Sequence, residues 1–208
     1  MKLKWYGHSC FSMTFDNGTV LVTDPFDASV GYPLCTIRAD AALTSHGHFD
    51  HNYVSSLSGE PIVIDKEGVH EIAGVSVTAT HSFHDDEGGA KRGDNLIMRV
   101  EGDGVTIVHL GDLGHMPNEA QKKAMANADV LLIPIGGYFT IDTDTAVKII
   151  DEVKPKTAIA MHFANQYCHF PVSDETRFVE LTNAKTLPNE IDVTPNSDLP
   201  ASAVMLYV

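Results

Sequence analysis

The chain has 208 residues and carries 28 acidic against 14 basic side chains, a formal net charge of −14 at pH 7. That length suits a single domain over residues 1–208, and the lack of any Lys/Arg run argues against nucleic acid as a partner, since binding it needs a basic footprint. Three widely spaced cysteines, Cys10, Cys35 and Cys168, make no disulfide framework, and no segment reads as a signal peptide or membrane span; the expectation is a soluble cytoplasmic protein with a small-molecule partner, its oligomeric state open.

Strands are expected at 3–6, 10–15 and 20–23, the last two joined by the turn Asp16-Asn17-Gly18. A buried strand at 41–45 runs into His46-Gly47-His48-Phe49-Asp50-His51, followed by a short helix at 54–57 and strands at 62–64, 75–80, 96–100 and 105–110. The Ala120, Ala124, Ala128 repeat predicts a helix, with Pro117 suited to its first position. Further helices follow from the Ala146, Val147, Ile150, Val153 stripe and from 175–181, with central strands at 130–133 and 157–161. Gly18 to Asp24 followed by Asp40 and a buried strand is echoed by Gly104 to Asp112 followed by Asp129 and another. A genuine repeat would mean two sheets face to face, helices outside, with the ligands at one edge.

Three imidazoles and a carboxylate in six residues are the donor types that suit zinc and its neighbours. His46 and His48 project one way while Asp50 and His51 leave the turn on another side, so one loop can serve two metals. The other ligands are sought directly after predicted strands, where support is rigid; His81, Asp112 and His162 qualify.

These motifs, with Gly7-His8-Ser9, Asp24-Pro25-Phe26, Gly111-Asp112, Gly136-Gly137-Tyr138-Phe139 and Met161-His162-Phe163, resemble the metallo-β-lactamase superfamily over nearly the whole chain. The branch they resemble holds metal-dependent hydrolases similar to ascorbate-6-phosphate lactonase and N-acyl-phosphatidylethanolamine phospholipase D. The resemblance implies an α/β (α+β) fold, a four-layer αββα sandwich. It assigns His46, His48 and His81 to one metal, Asp50, His51 and His162 to the other, and Asp112 to both. His84 competes with His81 in His81-Ser82-Phe83-His84; closeness to the predicted strand end favours His81, leaving His84 an active-site role. Relatives with two irons replace the middle His by an acid, so His48 speaks against an oxidoreductase.

The implied activity is hydrolysis of a small ester, lactone or phosphoester by a hydroxide shared between two divalent metals, zinc first, manganese or iron otherwise. Asp50, Asp112, His84 and His8 are the catalytic candidates, and Asp24 is expected to support the ligand loop. Lys91, Arg92 and Tyr138 are candidate contacts for a substrate that carries an anionic group. The alternatives are a phosphodiesterase or nuclease of the same superfamily, which the acidic charge disfavours, and a non-enzymatic metal-binding or sensing protein.

Overall fold

The computed structural model describes residues 1–207. The first half lays down β1 (Lys2–Gly7), β2 (Cys10–Thr14), β3 (Val20–Thr23), β4 (Ala41–Leu43) and β5 (Ile62–Ile64), then β6 (Gly68–Ile72), β7 (Val75–Phe83), β8 (Asp94–Gly102) and β9 (Val105–His109). The second half alternates: α1 (Glu119–Met125), β10 (Val130–Pro134), α2 (Thr143–Val153), β11 (Thr157–Met161) and α3 (Thr176–Thr182), closing with β12 (Lys185–Leu187), β13 (Glu190–Asp192) and β14 (Ser202–Met205).

Two mixed sheets result, one ordered β13-β1-β2-β3-β4-β5 and the other β12-β14-β11-β10-β9-β8-β7-β6. Strand alternation shows how they pack. Leu3, Trp5, Phe11, Met13 and Leu21 join Ile97, Val100, Ile107 and Leu131 in the main core, while their neighbours Cys10 and Val22 belong to a second cluster with Phe26, Val30, Tyr32 and Cys168. Val100 and Ile107 therefore face the smaller sheet, the alternate positions Ile97 and Leu131 carry the same core under the helices with Met125, Ile149 and Phe178, and the second cluster covers the outer face of the smaller sheet. The three α-helices pack on the larger sheet, α1 against β7 and β8, α2 against β10 and α3 against β14. The αββα sandwich is thus present, with the layer over the smaller sheet built of loop and a 3₁₀ turn at Ala28–Val30.

Local chemistry sets the helices. Asn118 caps α1 through a reciprocal pair with Gln121, so Pro117 lies before the cap and not at the first helical position. Asp142 caps α2 by accepting from the Thr145 amide, Ala146 and Ile149 are buried, and Lys154 in a left-handed conformation ends the helix before Pro155.

The internal echo is structural. β3 pairs parallel with β4 and β9 with β10. In one unit the Asp40 carboxylate accepts from the Val20 amide at 2.9 Å; in the other the Asp129 carboxylate accepts from the Thr106 amide at 2.7 Å. Both units direct the chain from a strand end into a turn rich in acids and histidines, and the two turns meet.

Candidate metal centre

β4 ends at Leu43, and the chain turns through Thr44 and Ser45 into the histidine motif. Asp24, one residue past β3, holds this turn: its carboxylate accepts from the Ser45 amide at 2.7 Å, from Ser45 Oγ at 2.7 Å and from His51 Nδ1 at 2.8 Å. Because Ser45 Oγ donates its single proton to Asp24, it accepts from His46 Nδ1, 2.9 Å away. Nδ1 of both imidazoles is thereby held as a donor, so Nε2 of His46 and of His51 is the atom turned to the cluster, and neither has a hydrogen-bond partner.

Asp112 stands where these nitrogens converge. Its Oδ1 lies 3.2 Å from His51 Nε2; its Oδ2 lies 3.3 Å from His84 Nε2 and 3.2 Å from His162 Nε2. Asn95 fixes the Asp112 backbone by accepting from its amide at 2.9 Å while donating to Ser82 Oγ and the Leu110 carbonyl. Gly111 precedes it with φ of +54°, and a Cβ there would collide with Asn95 and Ser45. Only glycine suits that turn.

The ligating atoms of His46, His48 and His84 lie within 4.8 Å of one another, as do those of His46, His51 and Asp112, and those of His8, Asp50, His51 and His162. Of the residues expected at the site, His46, His48, Asp50, His51, Asp112 and His162 come together, and His84 and His8 join them. His81 does not. It projects from within β7, 39% exposed, and its Nε2 meets Asp94 at 2.9 Å. The reason is length: β7 runs three residues beyond the expected end at Thr80, paired with β8 as far as Phe83 opposite Asp94. His84 is therefore the first residue after the strand.

The electrostatics suit a cation. Burial, reinforced by His162, pushes the His8 pKa down to about 4, and burial with His51 beside it pushes His46 down to about 3. Burial opposes the charged form of His51 too, yet Asp112 and Asp24 outweigh it and hold its pKa well above the ordinary value. Asp112 is held well below the carboxylate range, its burial overcome by His162 and His51. Among the described residues, nine buried side-chain nitrogen and oxygen atoms lack a hydrogen-bond partner, and all nine belong to His8, Ser9, His46, His51, His84, Asp112 and His162. Each orphan costs roughly 1–3 kcal/mol. So many in one cluster of N and O donors fit a metal centre.

A cavity of about 290 Å³ opens onto the cluster. His48, Asp50, His84 and Asp112 form its floor, Phe49, Phe139 and Phe170 its walls, and Arg92 its rim. Lys91 and Tyr138 do not line it: Lys91 Nζ is 2.7 Å from Glu87, and the Tyr138 ring, 67% exposed, faces outward while its neighbour Phe139 lines the wall. Phe170, Ser45, Asn95 and Asp85 join the site without belonging to any motif legible in the sequence. Asp85 directly follows His84 and accepts from the amides of Glu87, Gly89, Lys91 and Arg92, so it ties the following loop into a knot. Its position next to a ligand candidate, ahead of Gly88-Gly89, was the available signal. His109 is a core residue, donating to the Ser9 carbonyl at 2.8 Å. His115 accepts from the Phe83 amide and donates to the Met116 carbonyl, both structural contacts.

Residues 2–162 match the family model described as Beta-lactamase superfamily domain. A metallo-β-lactamase superfamily protein of Thermotoga maritima, assigned as a Zn-dependent hydrolase, superposes with a TM-score of 0.83 at 32% identity, covering 98% of this chain and 97% of its own. A UPF0173 metal-dependent hydrolase of Anaeromyxobacter dehalogenans is 30% identical over 78% of this chain and 74% of its own length. One from Thermoplasma volcanium is 29% identical over 78% of this chain and 83% of its own. The chain has the metallo-β-lactamase fold and belongs to the metallo-β-lactamase superfamily and, within it, to the UPF0173 metal-dependent hydrolase family.

Proposed function

We propose that this protein is a hydrolase that holds two divalent cations and cleaves a small ester, lactone or phosphoester. The observation that carries the reading is the convergence of three buried imidazole nitrogens on one shared carboxylate, two of them, on His51 and His162, without a hydrogen-bond partner. His46, His48 and His84 would hold one cation, Asp50, His51 and His162 the other, and Asp112 would lie between them. Zinc is the first choice, since imidazole and carboxylate suit it and the Thermotoga relative is assigned as Zn-dependent; manganese and iron accept the same donors. When bound, such a pair lowers the pKa of a shared water towards 7 and so supplies a nucleophile at neutral pH.

The chain's own residues do the rest. Asp50 lines the cavity floor, where its carboxylate would accept a hydrogen bond from the attacking water. His8 Nε2 lies behind that carboxylate, 3.4 Å from Asp50 Oδ2, and the His8 backbone is held by Trp5 Nε1 donating to its carbonyl at 3.1 Å. Hydrolysis of an ester then joins the water's oxygen to the acyl carbon, breaks the bond to the alkoxide oxygen and delivers the water's proton, by way of Asp50, to the departing oxygen. The resemblance to lactonase and phospholipase motifs supports lactones and phosphoesters beside simple esters as substrates.

The test is a panel of p-nitrophenyl acetate, a γ-lactone and bis-p-nitrophenyl phosphate with protein stripped of metal and reloaded with zinc, manganese or iron. Metal-restored turnover of at least one neutral or singly charged probe is expected. Tight binding of two metals per chain with no turnover of any probe would favour a metal-binding protein, and turnover confined to RNA or DNA would favour a nuclease.

A further inference from the structure

The rim of the cavity carries a feature that hydrolysis as such does not require. Of the four arginines, Arg38, Arg99 and Arg177 each meet a carboxylate, at 2.8, 2.9 and 2.6 Å. Arg92 meets none among the described residues. In a chain with twice as many acids as bases, an arginine without a carboxylate partner at the mouth of a catalytic cavity stands apart.

Arg92 is also held in place before any ligand arrives. One guanidinium nitrogen donates to the Tyr138 carbonyl at 2.8 Å, and the guanidinium lies 5.6 Å from the centre of the Phe139 ring. Its own backbone amide donates to the Asp85 carboxylate at 2.7 Å, within the four-amide knot described above. The loop backbone is packed in turn, because a Cβ on Gly114 would collide with His84 and Asp85. One donor of five is spent on Tyr138; the fork keeps the remainder for a planar anion such as a carboxylate or phosphate. Lys91, its neighbour, is already paired with Glu87, so the rim offers a single cation.

Beside that cation the walls are aromatic. The Phe170 ring lies 6.4 Å from both Phe49 and Phe139, and Phe49 is 54% exposed although it sits between His48 and Asp50. An aromatic left in water at that place is stabilised when an apolar group covers it.

We propose that the substrate is an amphipathic ester bearing one anionic group, which docks on Arg92, and one aryl or acyl arm, which lies against Phe49, Phe139 and Phe170. A fixed cation beside apolar walls favours an anionic ester with an apolar arm over its neutral counterpart. This inference rests on the hydrolase reading for turnover but not for binding.

The experiment uses metal-loaded protein and two matched pairs. For turnover, kcat/KM is measured on mono-p-nitrophenyl glutarate and on its neutral counterpart p-nitrophenyl butyrate; for binding, calorimetry compares 4-phenylbutyrate with 4-phenylbutan-1-ol. The anionic member of each pair is favoured at least tenfold in the wild type. Arg92→Gln lowers that preference by about tenfold to a hundredfold, the worth of one charge-assisted contact, while Arg92→Lys restores part of it. Lys91→Gln keeps the wild-type preference. A circular dichroism melt of each variant confirms folding. No preference in the wild type, or one that survives Arg92→Gln, overturns the proposal. Arg92-dependent binding of phenylbutyrate with no ester turned over would sink the hydrolase reading and leave the pocket assignment standing.

Discussion

Asp24 and Ser45 decide which nitrogen of two imidazoles faces the cluster, and they do so through one carboxylate. Asp24→Asn keeps the shape but loses the anionic acceptor, so metal affinity should fall about tenfold to a hundredfold in a chelator competition titration. His84 and His81 separate even more sharply. His84→Ala should remove about one metal equivalent per chain by elemental analysis, whereas His81→Ala should leave the metal content intact, its exposed pair with Asp94 being worth at most about 1 kcal/mol. Proton linkage gives a third expectation. His51 has a raised pKa without metal, so its contribution to stability is full below about 6.5 and is lost as pH rises through the folded value. Metal must displace that proton, while His46 and His8, lowered to about 3 and about 4, are neutral already. Loading at pH 7 should therefore release protons in weakly buffered solution, and affinity should climb from pH 6 to pH 8; loading without proton release would contradict the assignment of His51.

At the scale of elements, the site is made by two copies of one strand-turn-strand unit. Each begins by receiving a backbone amide on an aspartate, Val20 on Asp40 and Thr106 on Asp129. Asp40→Ala and Asp129→Ala should each destabilise the fold by about 1–3 kcal/mol in urea titration, as loss of a charge-assisted acceptor does. Gly111→Ala should cost more, or prevent folding, because the turn has both a positive φ and no room for a Cβ. The motif from His46 to His51 was legible because its six residues are contiguous, and Asp112 and His162 because β9 and β11 are short apolar runs with clear ends. The end of β7 was not: Thr80 to Phe83 carries no breaker, and what extends the strand is its pairing with β8, which no local pattern records. β12 and β13 escaped for a related reason, being three residues each and mostly outside the core, so they present no alternating apolar face to read.

For the whole molecule, the −14 charge and the buried orphan atoms point the same way: without cations the fold carries uncompensated polar groups at its centre. Ligands that bind only the folded state stabilise it by mass action, about 4 kcal/mol at a thousandfold excess over Kd. Chelation should accordingly lower Tm by several degrees, and zinc should restore it. No helix among the described residues is long and apolar enough to cross a membrane. The claim on which all of this turns is a centre of two cations sharing Asp112, with His84 and not His81 among the ligands. Anomalous diffraction from metal-loaded crystals at the zinc, manganese and iron edges tests it most directly. Two peaks per chain are predicted, one beside His46, His48 and His84 and one beside Asp50, His51 and His162, with Asp112 touching both. A single peak, or one coordinated by His81, would contradict it.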